Sequence, residues 1–181
     1  MLTTWIDFGW NTPCYWDYGP GEYITYYNDA VYVGGNRYAT TLDYYAQVSA
    51  LAHSVPNLTP DQLANIDWMP LGVFAVTRGG QSNEVLQLAV SKEGILSGTF
   101  FNQATGASRP LQGMVEQATQ RAAWCFADGG NSGPIIETSL YNLTEAECTA
   151  LAHTGPVSRE SWRLVRLEQP ETTGAEAMPT P

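Results

Sequence analysis

The stretch Val85-Leu86-Gln87-Leu88-Ala89-Val90-Ser91-Lys92-Glu93-Gly94-Ile95-Leu96-Ser97-Gly98-Thr99-Phe100-Phe101 decides the fold class. Leu86, Leu88 and Val90 fall on one face of an extended chain, and Gln87 falls on the other. Ser91-Lys92-Glu93-Gly94 is a tight turn, with glycine where a left-handed residue is needed. Residues 95–102 then return antiparallel. The same period of two and the same short connections recur on both sides. They predict strands near 72–78, 85–91, 95–102, 111–117, 121–127, 135–141 and 162–167. Connections this short cannot make the crossovers of a parallel sheet, so the strands form an antiparallel meander.

Trp68, Trp124 and Trp162 are read as inward residues of that meander. The expected fold is therefore mainly β with short helices: an up-and-down barrel or a strongly curled sheet, with a sandwich as the alternative. Asp128-Gly129-Gly130-Asn131-Ser132-Gly133-Pro134 reads as a loop. Thr144-Glu145-Ala146-Glu147 has the form of a capping box, so a helix is expected from there to His153, stopped by Gly155-Pro156.

Upstream, residues 1–38 hold 11 of the chain's 21 aromatic residues. Residues 22–33 read as a hairpin turning at Asn28-Asp29, followed by a second turn at Gly34-Gly35-Asn36. A helix capped by Thr40 or Thr41 follows, with Leu42, Tyr45, Val48, Leu51 and Ala52 as its apolar stripe and Pro56 as its end. Thr59-Pro60-Asp61-Gln62 starts a short helix. The expected organisation is an aromatic hairpin and helix over 1–56, a barrel-like domain over 57–167, and a disordered tail over 168–181.

Size and charge narrow the function classes. The chain has 181 residues, enough for a core without disulfide staples. Its net charge of −10, from 18 acids and 8 bases, repels phosphate backbones and anionic lipid. No apolar run approaches a membrane span. Charged residues make up only 14%, a composition more common outside cells. Cys14, Cys125 and Cys148 have no metal-ligand spacing. Cys125–Cys148 is the better disulfide pair, and three free thiols are the alternative.

Chemistry is sparse. His53 and His153 each end a predicted helix in the string Leu-Ala-His, where a histidine suits the helix dipole. No G-x-S-x-G occurs. Glu137 is the one acid at a strand centre. It either faces solvent, the favoured reading, or lines the barrel. Asn57-Leu58-Thr59 and Asn142-Leu143-Thr144 match the glycosylation pattern. No cofactor, metal or catalytic residue is predicted. Trp10, Trp16, Tyr18, Tyr23 and Tyr27 are the candidate interaction residues, since large amphipathic rings suit protein and sugar contacts. Trp68, Trp124, Glu137 and Trp162 are the candidate barrel lining. The expected function is a non-enzymatic binding module for a protein or polysaccharide. A small-ligand barrel or a structural subunit of a larger assembly is the alternative.

The strings Tyr15-Trp16-Asp17-Tyr18-Gly19, Val31-Tyr32-Val33-Gly34-Gly35, residues 68–76, Thr119 to Trp124, residues 137–144 and Trp162 to Leu167 carry a resemblance. The chain resembles uncharacterised bacterial secreted or cell-surface proteins of the kind called mu-protocadherin-like. That resemblance implies an export signal upstream of Met1 and a cell-surface or periplasmic home. It transfers no catalytic residue, and cadherin calcium motifs are absent from the sequence. Gly94 to Phe100 also resembles the turn and strand of avidin-type barrels, a likeness of architecture only.

Overall fold

The computed structural model describes Tyr18 and residues 23–80, 82–129 and 133–168. Trp10, Trp16, Cys14 and most of the expected tail lie outside the described residues. The chain is mainly β, and its meander closes on itself.

A first sheet contains β1 (Ile24–Tyr27), β2 (Ala30–Val33) and β3 (Asn36–Thr40), in that order. Asn28 and Asp29 both take positive φ, 46° and 58°, as a two-residue hairpin turn requires. The helix α1 (Thr41–His53) follows at once, with Thr40 Oγ1 accepting from Asp43 N at 3.0 Å as its N-cap. Its buried face is Thr41, Tyr44, Val48 and Ala52. The expected stripe was rotated from this by part of a turn: Leu42 is 61% exposed, and Tyr44 takes the central inward position. The short helix α2 (Pro60–Ala64) carries the full capping box of Thr59 and Gln62.

Eight strands then run β4 (Trp68–Thr77), β5 (Glu84–Ser91), β6 (Ile95–Asn102), β7 (Ala107–Glu116), β8 (Arg121–Phe126), β9 (Ile135–Ser139), β10 (Glu147–His153) and β11 (Arg159–Arg166). Each pairs antiparallel with the next, and β11 pairs with β4 to close the barrel.

The segment expected as a helix from Thr144 is strand β10. Only Asn142–Thr144 is helical, as one 3-10 turn. The capping-box pattern is not used: Thr144 Oγ1 donates to Tyr141 O at 2.8 Å, and Glu147 receives Arg163 from the neighbouring strand. The alanines that favour a helix serve here as small inward residues, with Cys148, Ala150 and Ala152 facing the interior. Closure explains why an eighth strand is needed. An up-and-down meander whose ends pair antiparallel must hold an even number of strands, so the seven expected ones could not close.

Two cores result. The barrel interior is filled by side chains that include Phe74, Leu88, Phe100, Trp124, Phe126 and Trp162. The second core lies outside the wall. Ile24, Val31, Tyr44 and Val48 of the first sheet and α1 pack on Ala123, Cys125, Ile135 and Leu151 of β8 to β10. Strands β8 and β9 are consequently buried at every position.

The closing seam is pinned by Arg166. Its Nε donates to Glu145 O at 3.1 Å and its Nη1 to Leu71 O at 2.8 Å, and its Nη2 also bonds Leu143 O. Gly72 makes room for it. At φ 139° a Cβ there would stand 2.1 Å from Arg166 Nη1. Gly72→Ala therefore costs about 3 kcal/mol, from backbone strain and displaced hydrogen bonds. Gly79→Ala, also at positive φ but with open space around it, costs only about 1 kcal/mol. Urea denaturation of the two variants measures the difference.

Candidate functional site: a buried carboxylate and the cleft beside it

Strand β9 runs Ile135-Ile136-Glu137-Thr138-Ser139 with both faces covered. Ile136 faces the barrel interior, so Glu137 faces the opposite way, beneath α1. It meets neither solvent nor the lumen, and both readings made from the sequence are corrected. Its exposure is 0%.

A carboxylate in that position must be paired, because an isolated buried charge is very costly. Arg121 Nε donates to Glu137 Oε2 at 2.7 Å. The Tyr44 hydroxyl donates to the same oxygen at 3.1 Å. His153 Nε2 lies 2.7 Å from Oε1 and donates there, since an ionised carboxylate only accepts. Three elements thus converge: the start of β8, the first turn of α1 and the end of β10. His153 is not at a helix end; it closes a strand and is 3% exposed.

Rings enclose the charges. The Arg121 guanidinium sits 4.3 Å from the Tyr44 ring centroid. Tyr26 and Tyr38 meet Tyr44 edge-on, at 5.9 and 6.1 Å. Tyr45 packs on His153 at 5.9 Å. Burial by itself would raise the Glu137 pKa. The Arg121 charge and the hydrogen bonds from His153 and Arg121 outweigh it and hold the carboxyl below its usual range. Both carboxylate oxygens are committed to protein donors, so the cluster is built to join α1 to the barrel wall.

Beside this cluster a cleft of about 650 Å³ opens between the first sheet and the barrel. Ile24, Thr25 and Tyr26 form one wall, and residues 157–161 form the other. Leu151 and Tyr18 complete it. Tyr18 is 2% exposed. The hydroxyls of Tyr18 and Tyr26 are buried and have no hydrogen-bond partner among the described residues. Burial, reinforced by the Glu137 charge, pushes both phenols well above their usual range, so both stay protonated as donors.

The other candidates fall as follows. Tyr23 and Tyr27 are 46% and 67% exposed on the outward face of the first sheet, whereas Ile24 and Tyr26 between them turn inward. Trp124 and Trp162 lie in the barrel interior. Trp68 does not: Met69 beside it faces the core, while Trp68 sits over Gln87, Ala89, Ser97 and Thr99 on the outer surface. The Cys125–Cys148 disulfide is not formed. Both thiols are free and lie on opposite faces of the wall, Cys125 in the outer core and Cys148 against the barrel core. Cys125 Sγ instead approaches His53 Nε2 at 3.7 Å, and burial pushes its thiol pKa up. Asn142 is 2% exposed and donates to Thr138 Oγ1, a position no glycan reaches.

Sequence reasoning missed Arg121 and Tyr44, and it read His153 as a helix-end residue. One signal was present. Arg121-Ala122-Ala123-Trp124-Cys125-Phe126 lacks the alternation of a half-exposed strand, which marks a strand covered on both faces.

Among the described residues, no group of three or more His, Cys, Asp or Glu side chains is placed to hold a metal, and no helix is long and apolar enough to cross a membrane. Glu137→Gln leaves Arg121 charged and unpaired, and costs about 3–5 kcal/mol at neutral pH. Because the folded pKa of Glu137 is depressed, its contribution is full above the unfolded carboxyl value and is lost as pH falls through the folded one. The gap between wild type and variant therefore narrows in acid; calorimetry from pH 7 downward measures it. No family model, curated protein or solved structure matches this chain, so what the site does rests on its own geometry.

Proposed function

We propose that the chain is a non-enzymatic binding module that takes its partner in the cleft between the first sheet and the barrel. The barrel is its scaffold. The observation that carries this reading is the cleft itself, walled by two separate structural units, with Ile24 and Leu151 offering apolar contact and Arg159 a charge.

Two other features favour binding over chemistry. The Glu137 carboxylate is fully enclosed and saturated by Arg121, His153 and Tyr44, whereas general acid–base work needs a group within reach of substrate. The barrel interior is packed with large apolar side chains, which argues against the alternative of a small ligand held in the lumen. The exposed rings of Tyr23 and Tyr27 extend the same region outward and suit a protein or polysaccharide partner. The sparse surface charge and the resemblance to secreted chains support a cell-surface or periplasmic site of action, and the net charge of −10 argues against nucleic acid as the partner.

Ser161 is exposed on the cleft wall, so Ser161→Trp fills the cleft while leaving both cores intact. Material captured by the wild-type chain from an extract of its native source is lost from this variant, with its melting temperature shifted by no more than about 2 °C. Equal capture by both proteins contradicts the reading.

A further inference from the structure

The cleft wall formed by β1 is a sheet edge. In the sheet order β1-β2-β3, strand β1 pairs with β2 alone among the described residues. The register fixes which of its groups are spent. Tyr27 and Ala30 flank the two-residue turn and form a hydrogen-bonded pair, and Gly34 N donates to Tyr23 O at 2.8 Å. Hydrogen-bonded pairs alternate along an antiparallel ladder, so Tyr23, Thr25 and Tyr27 direct their main chain toward β2. Ile24 and Tyr26 direct theirs the other way, toward the open edge, and both residues line the cleft. None of the described residues takes up those two N–H and two C=O groups.

On this basis, and resting on the cleft as the binding site, we propose that its occupant is an extended peptide segment bearing an acidic side chain, added as a strand along the free edge of β1. An extended chain presents alternating N–H and C=O groups at the two-residue spacing of about 6.6 Å that Ile24 and Tyr26 require. A sugar does not repeat donors and acceptors at that interval. Ile24, Leu151 and Val157 give apolar contact, and Val157 is 69% exposed before anything binds.

The acidic preference comes from Arg159. Its guanidinium lies 3.3 Å from the Tyr26 ring centroid, which holds it on the wall. It has no carboxylate within ion-pair distance among the described residues. Glu160 beside it accepts from Trp162 Nε1 at 2.7 Å. The chain's net charge of −10 works against an acidic partner at long range, so the preference is local to Arg159.

A library of displayed octapeptides panned on the whole protein tests this. Enriched peptides carry Asp or Glu at one register position. N-methylation at every second residue, in one phase, weakens them at least about tenfold, and in the other phase by less than about twofold. Amide exchange at Ile24 and Tyr26 slows on binding. Arg159→Glu inverts the preference from acidic to basic peptides by about tenfold or more, a change a merely structural role would not produce. No enrichment, indifference to N-methylation, or unchanged exchange at both amides overturns the strand proposal. Concentration-dependent dimerisation through β1 with no peptide enrichment also overturns it, in favour of a second copy of this chain. If these results fail while Ser161→Trp still abolishes capture of the native partner, the cleft reading survives and only the peptide is wrong. If Ser161→Trp has no effect either, both fall.

Discussion

One ionised carboxyl group organises the outside of this barrel. Glu137 sits on a strand buried from both sides, and a charge there is tolerable only while its donors stay in place. Those donors come from β8, from β10 and from α1, 93 residues upstream. The pairing thus ties the first sheet and α1 to one position on the wall. A purely apolar contact between helix and sheet tolerates sliding, because the hydrophobic effect has no direction. The Tyr44 hydroxyl bound to Glu137, with the Arg121 guanidinium against the Tyr44 ring, does not. The position of β1 against the β10–β11 hairpin, and so the shape of the cleft, follows from this fixed point.

The barrel fits a scaffold role. Side chains from all around the wall meet inside, with Trp124 and Trp162 among the largest, and Arg166 seals the closing seam by satisfying carbonyls of residues 71, 143 and 145. Closure also removes the sheet edges that would otherwise invite non-specific pairing. The first sheet is different. It is small, and among the described residues its β1 edge faces a cleft instead of another strand. Among the described residues the β1 edge is thus left unpaired beside the cleft, next to the Arg159 guanidinium.

Much of the barrel was legible in the sequence because alternation is a local signal. Leu86-Gln87-Leu88-Ala89-Val90 could be read as a strand without knowing its neighbours. Strand β10 was not, because Thr-x-x-Glu before an alanine-rich run satisfies a helix rule just as locally, and only closure of the barrel decides against it. The helix stripe was misplaced for a similar reason: hydrophobicity favoured Leu42, whereas the structure turns Tyr44 inward toward Glu137. The Glu137 cluster itself was illegible, since its donors lie 16 to 93 positions from Glu137 in the chain. The unbroken burial of residues 121–126 was the one local hint that something covers the wall from outside.

Native-state hydrogen exchange on Glu137→Gln tests the fixed-point role most directly. Amides of β1 to β3 and α1 are expected to lose most of their protection while those of β4 to β7 keep theirs, because the barrel core does not depend on the clamp. Uniform loss of protection across all strands, or none in the first sheet, would contradict it.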